Sequence, residues 1–142
     1  MGSRPKISWS DLKGAKVGVW GLGVEGRASL RRLLSMGNRP ALVDDHPASA
    51  TVEGIPILPT PEAGLRALAR CEVVVKTPGI SRYRTDVEWL ASEGIPVVGG
   101  LGLWLEEVDP KSVVCITGTK GKSTTTTIVG HLLNRLGHRC MT

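Results

Sequence analysis

Lys16-Val17-Gly18-Val19-Trp20-Gly21-Leu22-Gly23-Val24-Glu25-Gly26 decides the fold. An apolar run of strand character passes directly into a complete GxGxxG. The stretch 27–36 then has helical spacing, with Ala28, Leu30, Leu33 and Leu34 recurring on one side and Gly37 placed to end it. A second apolar run, Ala41-Leu42-Val43, leads to Asp44-Asp45. A strand, a glycine turn, a helix and a second strand ending in an acid about 20 positions on make a βαβ unit of dinucleotide-binding type. In such a turn Gly21 allows the tight bend, Gly23 lets a pyrophosphate approach the backbone, and Gly26 lets helix and strand pack closely. The helix N-terminus favours the phosphate charge. Glu25 favours the same helix dipole but repels a phosphate, so its carboxylate is expected to point away from the ligand.

The alternation continues in the C-terminal direction. Ile55-Pro56-Ile57-Leu58 reads as a short edge strand because of its proline. Thr60-Pro61-Glu62 has the order of an N-cap, a first-turn proline and an acid, and predicts a helix to about Ala69. Glu72-Val73-Val74-Val75 is a third strand, followed by Lys76-Thr77-Pro78-Gly79-Ile80 at the edge of the sheet where ligands bind in open α/β folds. Thr85-Asp86 opens a helix through Trp89 and Leu90 that Gly94 stops; Ile95-Pro96-Val97-Val98 is a fourth strand; 101–108 is a short helix; Asp109-Pro110-Lys111 is a linker. The expected fold class is α/β, a Rossmann-like, mostly parallel sheet with helices on both faces.

A second phosphate motif lies near the end. Val113-Val114-Cys115-Ile116-Thr117 has strand character, Gly118-Thr119-Lys120-Gly121-Lys122-Ser123-Thr124 is a glycine turn closing on Gly-Lys-Ser, and 122–136 has helix length. This is the layout of a P-loop, although Ile116 stands where the usual pattern has its first glycine. Lys122 suits the terminal phosphates of a nucleoside triphosphate, and the Ser123 hydroxyl suits a bound Mg²⁺. The sheet is therefore expected to be followed by the first strand, P-loop and helix of a second α/β domain, with domains at 1–109 and 110–142. Some 30 residues are too few to bury a core, so the second domain is expected to be only begun, within a longer protein. The helix stripe Ile128, Leu132, Leu133 and Leu136 then offers a surface for self-association.

With 142 residues, 41% hydrophobic and 22% charged, the chain is of globular type. No apolar run reaches the roughly 20 residues of a membrane span, and the basic start has no apolar segment after it, so a cytoplasmic protein is expected. The net charge of +5 is scattered, and with one Tyr and no Phe there is no stacking platform for nucleic-acid bases. Cys71, Cys115 and Cys140 form no CxxC pair; Cys71 and Cys115 are expected to be buried in strands. His46, His131 and His138 have no metal-ligand spacing. An NAD-dependent protein would also carry the first glycine turn and Asp44, but it would leave the P-loop unexplained.

Taken together, these motifs resemble the Mur ligase family, the ATP-dependent ligases that build the peptide stem of bacterial peptidoglycan. Ile116–Thr124 resembles that family's own P-loop, which also lacks the earlier glycine. Val19–Gly26 resembles its uridine-diphosphate loop, Val43-Asp44-Asp45 its second strand end near the uracil, and Thr77-Pro78-Gly79-Ile80 its Ser-Pro-Gly-Ile turn. The likeness is strongest to the branch that adds D-glutamate to UDP-N-acetylmuramoyl-L-alanine. It implies that Gly21, Gly23, Val24, Glu25, Asp44, Asp45, Thr77, Pro78 and Gly79 bind the UDP-substrate. It implies further that Gly118, Thr119, Lys120, Gly121, Lys122, Ser123 and Thr124 bind ATP phosphates, with Lys122 and Ser123 catalytic and Ser123 on Mg²⁺. In that chemistry a substrate carboxylate attacks the γ-phosphate and an amine displaces phosphate from the acyl phosphate. The sequence departs from the pattern at Glu25, where a small hydroxyl residue is common, and near Gly100 and Gly102, where an acid is common. The 142-residue chain alone is expected to lack ligase activity.

Overall fold

The computed structural model describes residues 6–142. The chain divides into two compact units, the first ending at Val108 and the second comprising Asp109–Thr142.

The first unit is built on a six-stranded sheet. In chain order its elements are β1 (Val17–Trp20), α1 (Val24–Ser35), β2 (Ala41–Asp44), β3 (Thr51–Val52), β4 (Ile55–Pro59), α2 (Glu62–Leu68), β5 (Val73–Lys76), α3 (Thr85–Ser92), β6 (Val97–Gly99) and α4 (Gly100–Leu105). The strand order is β3-β4-β2-β1-β5-β6, parallel throughout except for the β3–β4 pair. The order reverses at β1, whose C-terminal end meets the glycine turn. Such a switch point opens the crevice in which doubly wound folds take ligands.

Strands buried on both faces require apolar residues at every position, and β1 is fully buried. Val17, Val19, Leu42, Ile57, Val73 and Val75 face one core with Leu30 and Leu33 of α1 and Leu103 of α4. Trp20, Val43 and Val74 face the other with Leu68 of α2 and Val87 and Leu90 of α3. Helices thus cover both faces, as expected. Val97 and Val98 of the edge strand are only partly buried.

Several local expectations are corrected. Ile55–Pro59 is not an edge strand: it pairs with β2 on one side and with the two-residue β3 on the other. Its proline Pro56 is tolerated because it lies opposite Thr51 in that short antiparallel pair. Helix α2 begins one residue later than expected, with Pro61 rather than Thr60 at the N-cap and no side-chain cap. The short helix α4 ends at Leu105, and 110–112 is a 3₁₀ turn capped by the Asp109 side chain, which accepts the Lys111 amide at 3.0 Å. Ser10–Leu12 forms a 3₁₀ turn, Trp9 and Leu12 enter the core, and the Asn38 side-chain amide donates to the carbonyls of Leu12 at 2.8 Å and Ala15 at 3.0 Å.

The second unit holds one long helix, α5 (Lys122–Arg135). Its Val113–Thr117 run forms no strand, and Ile116 starts no sheet among the described residues. A strand exists only through its neighbours' hydrogen bonds, and Asp109–Thr142 supplies no second one. Cys115 is exposed for the same reason, against expectation. Cys71 is half-buried just before β5, and burial pushes its thiol pKa up.

Candidate functional site

The C-terminal ends of β2, β1 and β5, adjacent in the sheet, carry the predicted binding loops side by side. The Gly21 amide donates to the Val43 carbonyl at 2.8 Å, and the Thr77 amide to that of Trp20 at 3.0 Å. Asp44 accepts the Leu22 amide at 2.6 Å on one oxygen and the His46 amide at 2.9 Å on the other. The acid that the sequence pattern assigns to a ligand therefore also fastens the glycine turn.

Close packing fixes the same turn. A Cβ on Gly26 would stand 1.8 Å from the Gly21 carbonyl oxygen, and one on Gly21 would stand 2.3 Å from Thr77 Oγ1. Gly21 also has φ +89°, a conformation that side chains resist. Only glycine serves at these two positions. Around Gly23, by contrast, a Cβ would meet nothing within 4 Å, and Val24 at the first helical position is 88% exposed. The open side of the turn therefore coincides with the N-terminus of α1, where first-turn amides lack intrahelical partners. Glu25 is exposed on that turn, and Pro78 and Gly79 form an exposed turn beside it in the sheet order.

Asp45 is held differently. Arg84 pairs with it and, at 2.7 Å, with Asp86, while its guanidinium lies 5.1 Å from the centre of the Trp20 ring. Burial pushes the Asp45 pKa up, but the hydrogen bond of Arg84, the nearby Thr60 hydroxyl, the Arg84 charge and the nearby Trp20 indole N–H together outweigh this and leave it below the usual carboxylate range. Asp45 Oδ1, Trp20 Nε1 and Thr60 Oγ1 are buried without hydrogen-bond partners. Sequence reading missed Arg84, whose single signal is a charged residue just before a helix start.

The P-loop residues have the donor set for a triphosphate. Gly121, with φ +77°, is the N-cap of α5, and Lys122 and Ser123 open that helix. The Lys122 ammonium donates to the Gly118 carbonyl, curling the side chain over its own loop. Thr126 and Thr127 bond back to the carbonyls of Lys122 at 2.8 Å and Ser123 at 2.9 Å. Gly118–Thr124 is exposed throughout. Among the described residues no cluster of three or more His, Cys, Asp or Glu could hold a metal by itself, and no helix is long and apolar enough to cross a membrane.

A doubly wound sheet with a glycine turn at its switch point, followed by a Gly-Lys-Ser turn that opens a helix, is an α/β architecture carrying two turns of phosphate-binding type. Comparison narrows this. The chain is 39% identical over 92% of its length to a UDP-N-acetylmuramoyl-L-alanine–L-glutamate ligase of Xanthomonas euvesicatoria, and 41% identical over 92% to one of Xanthomonas campestris. It is 36% identical over 87% to a ligase of the same name from a Micromonospora species. The names bear out the resemblance to the Mur ligase family read from the motifs, and they specify L-glutamate where the resemblance implied D-glutamate. The chain spans about 30% of the length of these relatives. No family model matches it.

Proposed function

We propose that this chain is the UDP-substrate-binding domain (1–109) and the beginning of the ATP-handling domain (110–142) of a cytoplasmic ligase that joins glutamate to UDP-N-acetylmuramoyl-L-alanine. The observation that carries this reading is the occurrence of both phosphate turns, in this order, in a chain 36–41% identical to such ligases. The UDP-substrate lies across the open side of Gly21–Gly26, the Asp44–Asp45 strand end and Thr77–Gly79. The glycine turn offers α1 amides to the diphosphate, and its rigidity means that little ordering is needed on binding.

ATP and Mg²⁺ fit the residues of the second unit: Lys122 for terminal phosphate charge, Ser123 for the metal, and the start of α5 for the remaining oxygens. ATP, when bound, supplies the phosphoryl group that activates the substrate carboxylate. Lys122 and Ser123 bind and orient that nucleotide. L-glutamate is the amino acid favoured by the relatives' names.

Calorimetry on the 142-residue chain tests the reading. UDP-N-acetylmuramoyl-L-alanine should bind and NAD should not, and Gly23→Val should abolish binding with unchanged thermal unfolding, because the new side chain enters open space on the ligand side. Measurable NAD affinity without uridine-nucleotide affinity would refute it. The NAD alternative also asks Asp44 for a ribose contact while both its oxygens already accept backbone amides. Amide formation with L- against D-glutamate, assayed in a protein carrying the relatives' remaining length, decides the enantiomer.

A further inference from the structure

Next to the glycine turn lies a cavity of about 430 Å³ at the ends of β5 and β6, lined by Glu25, Lys76, Pro78, Arg82, Gly100 and Leu101 among others. Lys76 closes a strand whose other residues, Val73, Val74 and Val75, are all buried. Its half-buried ammonium donates to the Ile80 carbonyl at 2.7 Å, which uses one of its three N–H bonds and anchors the side chain. Arg82 reaches the same cavity, steadied by the Tyr83 hydroxyl and ring. Neither cation forms an ion pair among the described residues, although Glu25 and Glu106 also line the cavity. Burial and the neighbouring Arg82 charge both push the Lys76 pKa down. Two like charges facing one cavity without an ion-pair partner cost energy that an anion between them would recover.

We infer that Lys76 and Arg82 form a diphosphate-binding subsite that continues the glycine turn, with the ligand's phosphates bridging from the start of α1 to these two cations. The inference rests on the uridine-diphosphate reading above and assigns the residues that discriminate a nucleoside diphosphate from a monophosphate. Glu25 and Glu106, which line the same cavity without pairing with the cations, are assigned by this reading to the uncharged, hydroxyl-bearing part of such a ligand as acceptors.

The experiment titrates uridine, UMP, UDP and inorganic pyrophosphate into the 142-residue chain and into Lys76→Met, Arg82→Gln and the double variant. UDP should bind the wild type more tightly than UMP. The double variant should lose about tenfold or more in UDP affinity, as expected for charge-assisted hydrogen bonds, with uridine affinity unchanged. Lys76→Arg should restore most of the loss, which a merely structural lysine would not require. An unchanged UDP-to-UMP ratio in the double variant overturns the inference while leaving the uridine-nucleotide reading intact. Pyrophosphate binding that depends on Lys76 and Arg82, with no uridine compound bound, supports the anion subsite and refutes the uridine reading. Failure of both UDP and pyrophosphate to bind the wild type overturns both.

Discussion

The chain carries two glycine turns, each leading into a helix, and they are held in different ways. The Gly21–Gly26 turn is tied to two neighbouring strands by backbone bonds, by one oxygen of Asp44, which accepts the Leu22 amide, and by contacts too close for any side chain. The hydrogen bonds of the Gly118–Lys122 turn are with its own segment: Lys122 to Gly118, and the Thr125 amide to Gly121 at 2.9 Å. A phosphate turn is pre-organised by the sheet it leaves rather than by its glycines. The first turn has its sheet, whereas Val113–Thr117, leading into the second, pairs with no strand.

This contrast breaks most visibly at Gly26. Gly26→Ala should cost about 3 kcal/mol in urea unfolding, the upper end for overpacking, because its Cβ meets a backbone carbonyl. A cost below about 1 kcal/mol would show the turn to be pliable. Asp44→Ala, which strands the amides of Leu22 and His46, should cost about 1–2 kcal/mol and weaken UDP-substrate binding by loosening the turn. Unchanged affinity would show that the acid does not organise the site. Arg84 sharpens the comparison through pH. The Asp45 pKa is lowered on folding, so its pairing contributes above the unfolded value near 4 and is lost as pH falls through the lower folded value. With side chains about a third exposed, the pair should be worth less than about 1 kcal/mol. Arg84→Met should flatten the acid limb of a stability-against-pH curve, and an unaltered limb would contradict the pairing. The smallest effect is expected in the second turn. Lys122→Ala should change the stability of the 142-residue chain by less than about 0.5 kcal/mol and leave UDP binding unchanged, because the lysine bonds only to its own loop.

Much of the first unit was legible because buried parallel strands leave unbroken apolar runs: Val17–Trp20, Ala41–Val43 and Val73–Val75 lie where the sequence places them. The glycine turn was legible because its geometry admits so few residues. Thr51–Val52 was not, since a two-residue strand has no periodicity and exists only through its partner. Val113–Thr117 failed for the opposite reason: strand-forming residues without a neighbouring strand to bond. Arg84, Lys76 and Arg82 were invisible as a group because their placement depends on how the loop after β5 folds back, which no local spacing records.

The short hairpin at one margin has a further effect. An open sheet invites foreign strands to add along its outermost backbone, and proteins commonly blunt that invitation with short or irregular borders. Here one border is the two residues of β3, folded back antiparallel, and the other is the three residues of β6, which turn at once into α4. Neither offers a long template for another chain. Association by sheet extension, the usual route to ordered aggregates, is therefore disfavoured for this unit, and any assembly must use its helices and loops instead.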